Sequence, residues 1–192
     1  MHTLIFATNN RNKVAEIQSL VGPNFNILPL KEAGIEIDIP EPHDQLEANA
    51  LEKAMAIFKL TNQDCFSEDT GLEIAALGGA PGVKSARYAG EDSHPQDNID
   101  LVLSKMTGIE NRTAQFRTVI CLIWENETYY FEGICNGQIL SNMQGENGFG
   151  YDPIFVPDGA SKSFANMTMT EKNHFSHRKK AVTQLFEFLE KQ

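Results

Sequence analysis

Two adjacent carboxylates, Glu68 and Asp69, follow the short apolar run Cys65-Phe66 after one serine and stand directly before Thr70. Neighbouring carboxylates repel each other, and proteins commonly offset that repulsion with a divalent metal ion. Glycines, which let a backbone approach a ligand closely, and two cations follow: Gly71, Gly78, Gly79, Gly82, Lys84 and Arg87. The stretch predicts a magnesium and phosphate site, and a solvated acidic turn before a glycine-rich loop is the alternative.

A polar loop separates an apolar run at residues 3–7 from a helical pattern that includes Val14 and Ile17. Its members are Thr8, Asn9, Asn10, Arg11, Asn12 and Lys13. A helix N-terminus favours anions, so this loop is suited to holding phosphate with amides, backbone N–H groups and the Lys13 ammonium. The alternative is a capped helix start, since Asn is a good N-cap.

A third loop, residues 145–157, surrounds Asp152 with glycines and with the aromatic residues Phe149 and Tyr151. Aromatic rings among glycines are suited to stacking on a nucleobase, and a turn whose rings fold into the core is the alternative. Glu41 lies in a proline-containing loop, and alone it indicates only an exposed acid.

Three cations precede, or occupy the first turn of, the last expected helix: Lys172, His177 and Arg178. Cations at a helix N-terminus oppose the helix dipole, so their placement favours contact with a ligand. A solvated lysine and a capping or core histidine are the alternatives.

The chain has 192 residues, with 16 Lys or Arg against 26 Asp or Glu and a net charge of −10. This length predicts one domain, residues 1–192. An acidic chain has no general attraction for nucleic acid or an anionic membrane, so we expect neither as a partner. Three cysteines without C-x-x-C spacing favour free thiols in a reducing compartment. No apolar run has the length of a signal peptide or membrane helix, so we expect a cytoplasmic protein.

Short apolar segments typical of strands, and helical patterns, surround these candidate residues. Expected strands cover residues 3–7, 25–30, 64–67, 113–125 and 128–134, the last two as a hairpin. Expected helices cover residues 45–60 and 95–106 and begin near residues 14 and 176. Asp44 and Glu47 look like a capping box for the second helix. The mixture predicts a three-layer α/β fold with helices around a long central mixed β-sheet.

The run at residues 113–125 is apolar on both faces of the expected strand. One face carries Phe116, Ile120 and Trp124, and the other carries Val119, Cys121 and Ile123. A sheet that is apolar on both sides must be covered on both, and the chain's own helices are available for that.

Four segments match the motifs of one enzyme family in order and spacing. They read TNNRNKVAE from Thr8, SEDTGL from Ser67 with GGAPGVKSAR from Gly78, GFGYDP from Gly148, and Lys172 with SHR from Ser176. On these motifs the chain resembles the Ham1-like inosine/xanthosine triphosphate pyrophosphatases, from residue 3 to about residue 190.

The resemblance implies hydrolysis of ITP, dITP or XTP at the α-phosphorus to the monophosphate and pyrophosphate, which cleanses the nucleotide pool. It also implies Mg²⁺ as cofactor, a homodimer, and an active-site cleft between two lobes. By resemblance Asp69 is the general base and a metal ligand, Glu41 is a second metal ligand, Thr70 contacts substrate, and residues 8–13 hold the triphosphate. The implied base pocket contains Phe149, Gly150, Tyr151, Asp152, Lys172, His177 and Arg178.

Side-chain chemistry agrees with that pocket. Hypoxanthine and xanthine present a 6-keto acceptor, whereas adenine presents an amino group, and Lys172 and Arg178 can only donate hydrogen bonds. Adenine would leave these donors unpaired, which is costly in a buried site. The loop around Glu41 departs from the family pattern, because His43 replaces a glycine and Gln45 and Leu46 replace a hydroxyl residue and an aromatic residue.

Two other functions fit part of the pattern. Maf-type pyrophosphatases act on pyrimidine or modified nucleotides, but they lack the His177-Arg178 pair. A nucleotide-binding or RNA-binding module without catalysis is opposed by the net charge of −10 and by the Glu68-Asp69 pair.

Overall fold

The computed structural model describes residues 2–192, which divide into two compact units. Unit 1 holds the residues up to Asp69 together with Thr118–Gly133 and Arg178–Gln192. Unit 2 holds Thr70–Arg117 and Ile134–His177. Both units are therefore assembled from separated stretches of the chain.

The described residues form seven strands and five α-helices. The strands are β1 (His2–Phe6), β2 (Phe25–Pro29), β3 (Cys65–Ile74), β4 (Pro81–Gly82), β5 (Thr113–Trp124), β6 (Glu127–Ile139) and β7 (Phe155–Pro157). The helices are α1 (Arg11–Gln18), α2 (Leu46–Thr61), α3 (Pro95–Lys105), α4 (Met169–Phe175) and α5 (His177–Leu189). No described helix has the length and apolar character that crossing a membrane requires.

One mixed sheet joins the strands in the order β2-β1-β3-β5-β6-β7, with β4 paired to β3. Strand β1 runs parallel to β2 and β3, whereas β4 is antiparallel to β3 and β7 is antiparallel to β6. The expected α/β fold around a mixed sheet is confirmed.

Unit 1 has a layer of helix on each face of its strands. On one face Phe6, Ile120 and Trp124 share a buried cluster with Leu185 of α5. On the other face Cys121 belongs to a second cluster, which also includes Ile5, Ile123 and α2 residues such as Ala54. The alternation expected for β5 is confirmed here, and it explains why both faces of that strand are covered.

Unit 2 has its own core, in which Val102 of α3 and Phe116 of β5 share a cluster with Phe155 and Phe164. The aromatic rings account for much of this packing, since the Phe116 and Phe155 centroids lie 4.7 Å apart in an edge-on arrangement. Each unit thus buries a separate set of apolar side chains.

The structure corrects three expectations about strands, helices and their caps. Strand β3 continues through Glu68 and Asp69, which lie within the strand, because their side chains are buried by partners distant in sequence. Helix α4 was not expected at all. The capping box at Asp44 and Glu47 is wrong, because the N-cap of α2 is Gln45 and it makes no side-chain cap hydrogen bond.

Gly71 of β3 shows why a glycine is needed directly after the acidic pair. A Cβ atom at this position would lie 2.7 Å from the carbonyl oxygen of Gly82 in β4. The two backbones approach closely because neither residue has a side chain at this contact. The glycines expected to permit close approach are therefore used, at this position, for strand pairing within unit 2.

Candidate active site

Lys53 of α2 contacts the carboxylates of both Glu41 and Asp69. Its Nζ donates a hydrogen bond to Asp69 Oδ1 at 3.2 Å and another to Glu41 Oε1. The side chains of Lys53 and Asp69 are 8% and 7% exposed, against 25% for Glu41. Glu41 is therefore the member of this cluster most accessible to solvent.

Asn49 holds the loop that carries Glu41. Its Oδ1 accepts from the His43 backbone N at 2.9 Å, and its Nδ2 donates to the His43 backbone O at 3.1 Å. The same Nδ2 lies 3.4 Å from Asp69 Oδ2. Because the contact uses only the backbone of His43, the histidine side chain, which replaces a glycine of the family pattern, takes no part in it.

The local sequence of α2 explains how Asn49 and Lys53 reach this cluster. The buried positions of the helix recur at intervals of three and four residues: Leu46, Asn49, Ala50, Lys53, Ala54 and Ile57. This periodicity is that of a helix face packed against a core. A polar amide and a lysine on that face signal a functional role, yet Asn49 and Lys53 are not among the site residues predicted from the sequence.

Burial and charge together set the protonation of the cluster. Burial raises the pKa of Asp69, and the nearby Glu41 carboxylate adds to this, whereas the Lys53 ammonium acts in the opposite direction. Burial alone would lower the pKa of Lys53, but the carboxylates of Asp69 and Glu41 outweigh it and raise the pKa. A carboxylate with a raised pKa is a better proton acceptor near neutral pH, as a general base requires.

The donor set of this cluster fits Mg²⁺. Glu41 and Asp69, from separate parts of the chain, converge on one cation, the Lys53 ammonium. Mg²⁺ is usually bound by one or two carboxylates, and waters and substrate phosphates complete its octahedron. Among residues 2–192 no group of three or more His, Cys, Asp or Glu side chains is arranged to hold a metal. An ion between Glu41 and Asp69 would therefore take further ligands from substrate and water.

The second acid, Glu68, lies between two cations in unit 1. Lys13 Nζ is 3.0 Å from Glu68 Oε1. Arg178 Nε donates to Glu68 Oε2 at 2.7 Å and Arg178 Nη2 donates to Oε1 at 3.1 Å. Arg178 Nη1 also donates to Glu16 Oε2. This network joins the first turns of α1 and α5 to the middle of β3.

The opposite charges in the network offset the cost of desolvating one another. Burial alone would raise the pKa of Glu68, but Arg178 and then Lys13 hold it far below its ordinary value. Burial alone would lower the pKa of Arg178, and Glu68 and Glu16 raise it instead. Glu68 and Arg178 are therefore charged at neutral pH, and Lys13 is the member of the network with the greatest access to solvent.

The loop before α1 begins with a helix cap. Asn10 Oδ1 accepts from the backbone N of Asn12 at 3.0 Å and of Lys13 at 3.2 Å. Thr8 Oγ1 accepts from Asn10 N at 3.1 Å, and Asn9 Nδ2 donates to Ile37 O at 3.1 Å. The N-cap interpretation is thus confirmed for Asn10, and the cap orders the segment in which phosphate contacts are predicted.

In unit 2, Lys172 of α4 is 4% exposed and forms a 2.6 Å ion pair with Asp152 Oδ2. The same Oδ2 accepts from the Phe149 backbone N at 3.0 Å. Lys172 Nζ also lies 5.2 Å from the ring centroid of Phe149, a cation–π distance. Three residues predicted for the base pocket therefore meet at one buried position.

Thr168 and Glu171 explain why Lys172 lies there. Thr168 Oγ1 accepts from Glu171 N at 3.2 Å and Glu171 Oε2 accepts from Thr168 N at 2.8 Å, a capping box that begins α4. On the other side of the pair, Gly148 adopts a φ of +76°, and a Cβ there would collide with the Asp152 carboxylate. Asp152 is thus packed tightly against its own loop.

The two remaining aromatic candidates differ in their surroundings. The His177 ring stacks on Phe116 with centroids 4.8 Å apart and planes 15° apart. Tyr151 is 4% exposed, belongs to the unit 2 core, and donates from its hydroxyl to Ser85 O at 2.8 Å. The core interpretation is thus confirmed for Tyr151, whereas Phe149 is half-buried.

The predicted site residues fall into one group in each unit. Unit 1 contains the six residues at 8–13 together with Glu41, Asp69 and Arg178, and unit 2 contains Thr70, residues 149–152, Lys172 and His177. Arg178 was predicted beside Lys172, but the partners described for its guanidinium are Glu68 and Glu16 in unit 1. Glu16 is the last residue of the first motif, in the Lys13-x-x-Glu16 spacing on one face of α1, but no role was predicted for it.

Comparison with known proteins places this geometry in a family. The model of a family described as the Ham1 family matches residues 4–188. A dITP/XTP pyrophosphatase of Flavobacterium psychrophilum is 47% identical over 185 residues, covering 96% of this chain and 97% of the relative. A dITP/XTP pyrophosphatase of Bacillus subtilis is 43% identical over 194 residues, covering 99% of this chain and 98% of the relative.

Solved structures show the same fold. The Ham1 protein of Staphylococcus aureus superposes with a TM-score of 0.89 at 36% identity and covers 98% of each chain. A Ham1 protein from Coxiella burnetii superposes with a TM-score of 0.91 at 34% identity and covers 100% of each chain. The matches extend over both units of the chain.

Proposed function

Because the chain belongs to the Ham1 family, we propose that it hydrolyses non-standard purine nucleoside triphosphates, namely ITP, dITP and XTP, to the monophosphate and pyrophosphate. The family membership expected from the motifs is confirmed, and relatives along the whole chain are dITP/XTP pyrophosphatases. The single observation that carries the reaction is the convergence of Glu41 and Asp69 on Lys53. Such an activity removes these nucleotides from the pool.

Asp69 is the residue to which we assign general base catalysis. Its buried carboxylate has a raised pKa, which suits it to take the proton from the water that attacks the α-phosphorus. Asn49 and Lys53 hold its two oxygens from opposite ends of one helical turn of α2. The base is therefore oriented before substrate binds.

Glu41 and Asp69 are the residues that would hold Mg²⁺. When bound, the ion neutralises phosphate charge and orients the triphosphate for in-line attack. Lys13, at the first turn of α1, offers a point charge to the phosphates, and the neighbouring N–H groups of residues 8–13 add hydrogen-bond donors. Thr70, directly after the base, is assigned to substrate contact.

Lys172 and Asp152 carry the proposed selectivity for the base. Asp152 holds the ammonium in place at 2.6 Å, so its remaining N–H groups are oriented in advance. A 6-keto oxygen accepts from an ammonium, whereas the amino group of adenine does not. Phe149 is assigned to stacking on the base, with Gly150 and His177 completing the pocket. A base contact of Tyr151 stays a prediction beside its position in the unit 2 core. The base contact of Arg178 stays a prediction beside its described partners Glu68 and Glu16.

We further propose that residues 1–192 act as one catalytic domain, as a cytoplasmic homodimer. Support for a single domain comes from the family model, which spans residues 4–188, and from strands β3, β5 and β6, each of which contributes residues to both units. Light scattering at micromolar concentration should give twice the mass of the 21.4 kDa chain. A monomer mass would remove the dimer from the proposal.

The decisive experiment is pyrophosphate release from ITP, dITP, XTP and ATP, with Mg²⁺ and with EDTA. We expect release from the three non-standard purines, at kcat/KM at least ~10²-fold above ATP, a conservative use of the discrimination that unpaired donors provide. EDTA should abolish the release. Preference for a pyrimidine triphosphate would indicate a Maf-type activity, and nucleotide binding without any release would indicate a binding module.

A further inference from the structure

Lys53 occupies the position between Glu41 and Asp69 that the proposed function gives to Mg²⁺. Its Nζ lies within hydrogen-bond distance of both carboxylates, and its side chain is 8% exposed. The Lys53 ammonium carries a single positive charge, half the charge of Mg²⁺. The two cations cannot share the carboxylates, because like charges about 3 Å apart in a buried site repel strongly.

We propose that Lys53 is an internal counter-ion that occupies the metal site of the free protein and leaves it when the triphosphate binds. The inference rests on the proposed function, since it takes Glu41 and Asp69 as the metal ligands. Lysine has a flexible four-carbon stem, so the ammonium can move from one anionic partner to another without backbone motion. The triphosphate supplies the new partner, and the vacated carboxylates then bind the ion.

This exchange makes metal and nucleotide binding depend on each other. Without nucleotide, an entering ion must displace Lys53 from two carboxylates into surroundings that are largely buried, which is unfavourable. With nucleotide, the displaced ammonium pairs with a phosphate. If nucleotide increases the affinity of the protein for the metal by a given factor, the metal increases its affinity for nucleotide by the same factor. Lys53 is thus a positioning residue for the ion.

The test measures Mn²⁺ affinity by electron paramagnetic resonance in the wild type, Lys53→Met and Lys59→Met. Lys59 lies on the same helix and is exposed, so its variant has the same net charge without altering the cluster. Each protein is titrated alone and with the non-hydrolysable α,β-methylene analogue of ITP. Because the analogue itself chelates Mn²⁺ to the same extent in every titration that contains it, the ratio of the two affinities is compared between the three proteins.

Without nucleotide, Lys53→Met should bind Mn²⁺ at least ~10-fold more tightly than the wild type, a coupling within the usual range. Lys59→Met should match the wild type, and the increase in affinity caused by the analogue should be smaller in Lys53→Met than in the other two proteins. Lys53→Gln, which retains an amide donor for the carboxylates, replaces the methionine variant if the latter does not fold.

Equal Mn²⁺ affinity of the wild type and the Lys53 variants without nucleotide would overturn the inference. If the wild type still released pyrophosphate from ITP, the proposed function would stand in that case. Absence of release from ITP, with Mn²⁺ bound as expected, would instead count against the function alone.

Discussion

Arg178 donates two hydrogen bonds to Glu68, from Nε to Oε2 at 2.7 Å and from Nη2 to Oε1 at 3.1 Å. The planar guanidinium fits a carboxylate in this two-bond arrangement, which is the strongest geometry for such a pair. Arg178 is 1% exposed and Glu68 is 2% exposed. A buried arginine in this setting has a structural role whether or not it also contacts a base.

Replacing Arg178 with Met should therefore destabilise the protein strongly. Loss of one partner of a buried ion pair leaves an uncompensated charge and costs about 3–5 kcal/mol. Urea denaturation at pH 7 should show this loss, and Lys191→Met, at an exposed position after α5, should change the free energy of unfolding by less than about 0.5 kcal/mol.

The same variant also tests the base contact, at a temperature at which it remains folded. If Arg178 contacts the 6-keto oxygen, kcat/KM should fall much more for ITP than for ATP. An equal loss for both substrates would show that Arg178 acts through Glu68 and Glu16 alone.

The low pKa of Glu68 predicts how stability depends on pH. Its folded pKa lies below the ordinary value of 4.5, so the stabilisation is present above about pH 4.5 and is lost as the pH falls. One such carboxylate changes the free energy of unfolding by roughly 2 kcal/mol between pH 7 and pH 3. Glu68→Gln should be less stable at pH 7 but should show a shallower decline with acid. An identical slope in the two proteins would contradict the assigned charge.

Asp69→Asn tests the general base. The amide keeps the shape of the carboxylate but cannot accept a proton, so kcat for ITP should fall by ~10²–10⁴-fold. Asp38→Asn makes the same change in charge at an exposed site and should leave kcat unchanged. Near-normal turnover of Asp69→Asn at saturating Mg²⁺ would show that the base is a different group.

Lys13→Ala tests phosphate binding at α1. The Lys13 side chain is 16% exposed and pairs with Glu68, which keeps Arg178 as a partner in the variant. We expect the KM for ITP to rise about 10-fold or more, and the free energy of unfolding to fall by only about 1 kcal/mol. Lys31→Ala, at an exposed position, is the control. A large fall in Tm with an unchanged KM would make Lys13 a structural residue.

Lys172→Met tests selectivity within unit 2. Removing the ammonium deletes the proposed donor to the 6-keto oxygen and leaves Asp152 without its 2.6 Å partner. The ratio of kcat/KM for ITP over ATP should fall by at least about 10-fold. Lys162→Met, at an exposed lysine that pairs with Glu171, should keep the ratio. A preserved ratio in Lys172→Met would move the selectivity to another residue.

Much of the fold was accessible from sequence because it rests on local patterns. The two apolar faces of β5 and the stripe of α2 require only side-chain periodicity. The true extent of β3 was not accessible, because Glu68 and Asp69 are polar yet buried. Their burial depends on partners that other parts of the chain supply, and no local pattern reports such partners.

The candidate site, like the fold, could be predicted from the sequence only in part. Motif spacing was sufficient to single out Glu41 and Asp69, but not the lysine that joins them. The place of Arg178 in the first turn of α5 indicated that it needs an anionic partner. It did not indicate that the partners are carboxylates 110 and 162 positions earlier in the chain. A cation at a helix start has the same local signature whether it contacts a ligand or a buried acid.

The pairing of Arg178 with Glu16 has a consequence for synthesis of the protein on the ribosome. Glu16 emerges early, whereas its compensating arginine is added 162 residues later. Until then unit 1 lacks α5, and two acids destined for burial have no guanidinium to offset the cost of desolvation. Contacts of such large sequence separation form late and slow folding. In a nascent chain stalled before α5, unit 1 should therefore remain unfolded and be a substrate for chaperones and proteases.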